Sequence, residues 1–144
     1  MKTPASECLY CQKNESLNKL MIKICDMEVS WLFLFKEQSY PGRCNVVYKD
    51  NGPDFHELND EQRNAFMRDV AKAGKAIELA FKPAKINYGS YGDKISHLHF
   101  HLVPKYPDGM SFGGVFEMNP QKVTLSEEEY ASLVEKIKEA LRKI

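Results

Sequence analysis

His97, His99 and His101 stand at alternate positions in His97-Leu98-His99-Phe100-His101-Leu102-Val103-Pro104 and are three of the four histidines in the chain. Large apolar residues separate them, and strict alternation over this length is the pattern of a half-buried β-strand. Successive strand side chains point to opposite faces, and same-face neighbours lie about 6.6–7 Å apart. The three imidazoles therefore share one face, while Leu98, Phe100 and Leu102 turn into the core. Thr or Lys would cover a sheet surface more simply, so a row of titratable rings points to chemistry. Neutral imidazoles attack electrophiles, move protons and ligate metals. As ligands the row is limited, because the outer rings of an ideal strand lie about 13–14 Å apart and only neighbouring pairs can chelate one ion. Catalytic metal sites also need a further ligand, and His56 is the only histidine left.

A second potential metal-binding group lies near the start. Cys8 and Cys11 form a Cys-x-x-Cys pair, a spacing that lets two thiolates reach one zinc, with two more ligands needed for a structural site. A redox role would place the pair between a strand and a helix, and nothing ahead of Cys8 reads as that strand.

The elements that position these residues follow in order. Residues 20–25 alternate weakly and form a candidate strand, with Asp26-Met27-Glu28 as the turn. Residues 29–35 are rich in β-branched and aromatic side chains and read as the next strand. The polar loop Lys36-Glu37-Gln38-Ser39-Tyr40 leads to a Pro41-Gly42 turn, and residues 44–48 pair back as a strand with Cys44 as a small buried hydrophobe. Turn formers crowd residues 49–54. Asn59 then caps a long helix, with Gln62 completing a capping box. Its buried stripe is Phe66, Val70, Ala73, Ile77 and Phe81, and it stops at Lys82-Pro83. Residues 84–88 resume as a strand, broken by Gly89, Ser90, Gly92 and Asp93, where glycine lets backbone N–H groups approach an anion. After the histidine strand, Ser126 caps a C-terminal helix with Glu129 at the capping-box position, and Tyr130, Leu133, Val134, Ile137 and Leu141 form its apolar stripe.

His-x-His-x-His-x-x with an apolar residue at each x resembles the motif of the histidine-triad family of nucleotide hydrolases and transferases, in its diadenosine polyphosphate hydrolase-like branch. Asn87-Tyr88-Gly89-Ser90-Tyr91-Gly92 is similar to the family's strand and turn that support the nucleotide phosphates, and Tyr40-Pro41-Gly42-Arg43-Cys44 to its Pro-Gly hairpin. The resemblance runs over roughly residues 8–120. It implies that His99 is a nucleophile toward an α-phosphorus, forming a covalent nucleotidyl intermediate. A backbone carbonyl in the motif region would hold its other ring nitrogen. The resemblance makes His101 a donor to a phosphate oxygen or the leaving group, able when protonated to stabilise developing charge. His97 would orient the row or bind zinc. By the same resemblance Asn87 supports the phosphate or the catalytic histidine, Gly92 matches the family's glycine ahead of the triad and joins it in substrate binding, and Lys36 or Gln38 contacts base or ribose, the alternative being a solvated loop. Ser96, beside His97, either assists protonation of the leaving group or is only a polar residue before the strand. Zinc-bearing branches carry a Cys-x-x-Cys pair, a histidine after the Pro-Gly strand and the first triad histidine. Here these positions hold Cys8, Cys11, Asn51 and His97, so the second is a departure for which His56 is the available substitute. His56 equally fits as decoration at the start of a helix. The segment 111–116 would help close a homodimer and the active site.

At 144 residues the chain reads as one domain, 1–144. Its 43% hydrophobic and 28% charged content fit an ordinary globular protein. Lys+Arg and Asp+Glu balance at 20 each, so no global field recruits nucleic acid or an anionic membrane. The apolar run 31–35 is too short to span a bilayer. No apolar stretch of the secretory kind follows Met1-Lys2-Thr3-Pro4, and four cysteines without such a signal read as thiols or metal ligands, which places the protein in the cytoplasm. No internal repeat or low-complexity tract appears. The expected fold is α+β: a mainly antiparallel sheet of about five strands with one long helix and a C-terminal helix. The expected activity is hydrolysis or nucleotidyl transfer at the α-phosphate of diadenosine polyphosphates or adenosine phosphoramidates. It requires no cofactor for chemistry and allows a structural zinc. The alternatives are a metal-dependent enzyme using the histidine row as ligands, and a nucleotide-binding regulatory protein with little turnover.

Overall fold

The computed structural model describes residues 2–144. Five strands, β1 (Met21–Asp26), β2 (Ser30–Phe35), β3 (Cys44–Tyr48), β4 (Lys85–Gly89) and β5 (His99–Lys105), form one sheet in the order β1-β2-β3-β5-β4. Every neighbouring pair is antiparallel. Two long helices, α3 (Asp60–Phe81) and α4 (Glu127–Arg142), follow two short ones, α1 (Leu9–Gln12) and α2 (Glu15–Leu20). The architecture is the α+β class that the alternation of apolar runs and helical stripes implies.

The periodicities decide which face each strand buries. Leu32 and Leu34 of β2, Cys44, Val46 and Tyr48 of β3, and Leu102 of β5 meet Phe66, Val70, Ala73 and Ile77 of α3 and Tyr130 and Ile137 of α4 in the main core. Each large side chain buried there contributes about 1.5–3 kcal/mol of transfer free energy. Both long helices begin with the capping boxes that their sequences encode, Asn59 with Gln62 and Ser126 with Glu129. These satisfy amide groups that no helical turn can reach.

The opposite face is where the structure departs from expectation. It is not half-solvated: β5 carries the histidines, and His97, His99 and His101 are only 1%, 7% and 6% exposed. Two satellite clusters cover this face. Tyr10 of α1 and Leu17 of α2 pack with Phe33, Phe35 and Val47 at one end. Tyr40, Val103 and Phe116 pack at the other. β5 also begins at His99, so His97 precedes the strand. α1 and α2 have no counterpart in the sequence reading, because four and six residues are too few for a periodic pattern. Packing of Tyr10 and Leu17 on the sheet holds them instead.

Candidate active site

The three histidines occupy three different environments, each set by what accepts or donates at its ring nitrogens. His97 Nε2 lies 2.5 Å from the carbonyl oxygen of Tyr48 at the end of β3. A carbonyl only accepts, so Nε2 carries the proton and Nδ1 keeps its lone pair. That Nδ1 faces Cys8 Sγ at 3.3 Å and Cys11 Sγ at 3.5 Å. The donor atoms of these three residues lie within 4.8 Å of one another, and they are the one such group among the described residues. Two thiols and an imidazole lone pair on a common centre are a donor set suited to zinc.

The fourth ligand is not supplied by either candidate position. Asn51 Nδ2 donates to the carbonyl of Thr3 at 3.2 Å. His56 sits on a 3₁₀ turn with its side chain 80% exposed, 3.9 Å from Asp54, and is not part of the metal-capable group.

His99 is turned the opposite way from His97. Its Nδ1 lies 2.7 Å from the carbonyl oxygen of His97, which places the proton on Nδ1 and leaves Nε2 bare. A backbone carbonyl within the motif itself thus holds this ring nitrogen. Burial lowers the pKa of His99, so the ring is neutral at ordinary pH. The Tyr10 ring lies 5.2 Å away, centroid to centroid, and fixes the imidazole plane from the side of α1.

Arg43 sets the third histidine. Its Nη2 is 3.3 Å from His101 Nδ1, and its guanidinium stacks 4.1 Å from the Phe35 ring. Burial, then the neighbouring His99 and Arg43, press the pKa of His101 down to about 3. The ring is therefore neutral and carries a single N–H rather than a positive charge. The His99 and His101 ring centroids are 5.0 Å apart, closer than the flat-strand spacing predicts.

A cleft of 380 Å³ opens at these two rings, lined by Tyr91, Gly92, Ile95, His99, His101 and Met118 among others. Gly92 thus lies in the cleft wall beside the two rings. Gly89 pairs with His101 across the β4–β5 ladder, and an added Cβ there would lie 2.7 Å from the Tyr91 ring. Glycine at this position lets Tyr91 fold down as the cleft wall. Asn87 lies opposite Val103, two positions from the His101 pair and in step with it on the histidine side of the sheet, but it does not line the cleft.

The other expected contacts lie elsewhere. Ser96 and Thr3 exchange hydrogen bonds, Thr3 N to Ser96 Oγ at 2.6 Å and Ser96 N to Thr3 Oγ1 at 3.0 Å, so the hydroxyl pins the N-terminal segment. Gln38 is buried and braces the loop before β3: its Nε2 donates to Phe35 O and its Oε1 accepts from Gly42 N at 2.9 Å. Lys36 lines a separate groove with Ile22, Leu125, Tyr130 and Val134. Sequence reasoning missed Arg43 and Asn45, both fully buried on this face. Asn45 lies in β3 beside the histidine strand and Arg43 immediately precedes β3, and one polar residue on either side of Cys44 is too short an alternation to mark a buried polar face.

Comparison with known proteins agrees with this geometry. The family model of the HIT domain matches residues 18–108, which span all five strands. The adenosine 5'-monophosphoramidase hnt1 of Schizosaccharomyces pombe is 26% identical over 131 residues, covering 88% of this chain and 98% of that one. A histidine triad protein from Marinobacter aquaeolei superimposes with a TM-score of 0.81 at 21% identity, over 92% of this chain and 96% of that one. A zinc-bound histidine triad family protein from Mycobacterium smegmatis does so with a TM-score of 0.64 at 16% identity, over 97% and 96%. With the sheet order, the buried histidine row and a family match across most of its length in agreement, the chain belongs to the HIT domain family.

Proposed function

We propose that the protein hydrolyses nucleoside phosphate conjugates at the α-phosphorus through a nucleotidyl adduct on His99 Nε2. The observation that carries this reading is the 2.7 Å contact of His99 Nδ1 with the His97 carbonyl, which leaves Nε2 as a bare lone pair beside the cleft. Nε2 attacks phosphorus, forming an N–P bond as the bond from phosphorus to the bridging oxygen or nitrogen breaks. A polyphosphate departs as its anion, and an amine departs with a proton taken up from solvent, which the water of the second step returns. Water then attacks the adduct, loses a proton, and frees the nucleoside monophosphate and His99. His101, neutral, donates from Nε2–H to a non-bridging oxygen whose charge grows in each transition state. The relative named as an adenosine 5'-monophosphoramidase supports adenosine phosphoramidates as substrates; diadenosine polyphosphates present the same α-phosphate.

A catalytic metal held by the histidine row gains less support, because His97 faces the cysteines while His99 and His101 commit Nδ1 to other partners. Cys8, Cys11 and His97 would instead hold a structural zinc, as the zinc-bound relative encourages. Four free thiols fit the reducing cytoplasm. A homodimer would cover the exposed Phe112 and Val115 of the loop after β5 and the open edge of β4 with its exposed Tyr88.

The test is intact-protein mass spectrometry of wild type and His99→Gly, mixed briefly with an adenosine phosphoramidate or diadenosine tetraphosphate while AMP release is followed. Wild type is expected to release AMP and carry a nucleotidyl mass increment localised to His99, and the variant neither. Turnover that persists in His99→Gly, or an adduct on another residue, overturns the reading.

A further inference from the structure

We propose that Arg43 is a positioning residue for His101: its guanidinium locks that ring in the tautomer opposite to that of His99 and fastens the 116–118 loop over it. The inference rests on the reading of His99 and His101 as the reacting pair.

Arg43 is fully buried, and among the described residues no carboxylate lies within ion-pairing distance of it. A buried cation without a counter-charge is costly, and an apolar side chain of similar length commonly serves packing as well or better. What Arg43 touches is therefore informative. Nη2 faces His101 Nδ1 at 3.3 Å and Met118 Sδ at 3.5 Å, and Nη1 donates to the Glu117 carbonyl at 3.4 Å. Cζ lies 4.1 Å from the Phe35 ring and 5.4 Å from the Phe116 ring, while Nε has no partner. The other buried cation on this face differs: Lys105 is taken up by the carbonyls of Ser111 and Gly114. Of these two buried cations, Arg43 alone places a donor on a histidine ring.

The logic is one of matched opposites. A carbonyl can only accept, so it forces the proton of His99 onto Nδ1 and bares Nε2. A guanidinium can only donate, so it forces the lone pair of His101 onto Nδ1 and the proton onto Nε2. Two neighbouring imidazoles of one strand thus become a nucleophile and a hydrogen-bond donor, 5.0 Å apart, because the groups behind them are of opposite kind. The same guanidinium holds Glu117 and Met118, so Met118 reaches the cleft wall at the ring that Arg43 orients.

The experiment is long-range ¹H–¹⁵N correlation NMR of the full chain labelled at histidine, near neutral pH, with steady-state hydrolysis of an adenosine phosphoramidate measured on the same samples. In wild type, His101 is expected to show a bare Nδ1 and a protonated Nε2, and His99 the reverse. Arg43→Met should give His101 a mixture of tautomers, with kcat reduced about tenfold or more and KM within about threefold, in the range that a positioned proton donor contributes. Arg43→Lys keeps a donor and should retain the tautomer and recover most of kcat. A proton on Nδ1 of His101 in wild type overturns the proposal, as do Met and Lys variants that lose kcat equally with the tautomer unchanged. Absence of hydrolysis by wild type sinks the proposed function but leaves the tautomer pattern to decide the role of Arg43. Wild-type NMR needs no variant to fold.

Discussion

His101 illustrates what burial does to a titratable group in the middle of a sheet. Its folded pKa is about 3 against 6.5 for the unfolded ring. Above pH 6.5 both states are neutral and the full stability is present. Below it the unfolded chain takes up a proton that the folded chain refuses, so stability falls at about 1.4 kcal/mol per pH unit. Between pH 6.5 and about pH 5 this single ring costs about 2 kcal/mol, and His97 and His99, shifted the same way by burial, add to it. Urea unfolding at the two pH values should show the loss, and His101→Gln should remove about 2 kcal/mol of it. An undiminished loss in the variant would assign the effect to other groups. At this scale the sequence was legible where residue type was unusual. Three histidines at alternate positions announced themselves; Arg43 did not, because one arginine beside a turn is ordinary until the fold shows it sealed beneath His101.

Secondary-structure elements were legible in proportion to how local their determinants are. The capping boxes at Asn59 and Ser126, the stripe of α3 and the apolar runs of β2 and β3 each rest on spacing within one element. What joins one element to another was not legible, and Asp69 is the clearest case. It sits on α3, 3% exposed, and accepts from Val29 N at 2.9 Å, Ser30 Oγ at 2.6 Å and Glu28 N at 3.2 Å. A helical carboxylate thus ties down the β1–β2 turn, where no sequence pattern links residue 69 to residues 28–30. Asp69→Ala leaves buried donors unmet and is expected to cost about 2–3 kcal/mol in denaturant unfolding. A cost below about 0.5 kcal/mol, the range of an ordinary surface change, would show that water replaces the carboxylate without penalty.

Across the whole molecule, the N-terminal segment is the part whose attachment depends on everything else. Thr3 is bonded to Ser96, Asn51 to Thr3, and Lys2 to Gly52 and Glu57, while Cys8 and Cys11 converge on His97. Position 51 is therefore one hydrogen bond from Thr3 and two from Ser96, the residue beside His97. Position 56 points to solvent. Zinc held by Cys8, Cys11 and His97 alone would leave one place to water, and the family resemblance implies that a histidine at 51 would fill it. Asn51→His is accordingly expected to hold zinc at least about tenfold more tightly than wild type, the scale on which even supporting interactions act on metal sites. Zinc should raise the melting temperature of the variant further, since metal bound only by the folded chain adds its binding free energy to stability. Cobalt substitution supplies an independent readout: a closed four-ligand site gives strong tetrahedral visible bands, and their intensity should rise from wild type to Asn51→His. Equal zinc retention and equal cobalt spectra in the two proteins would mean that position 51 stays outside the site, with Asn51 serving only to hold Thr3.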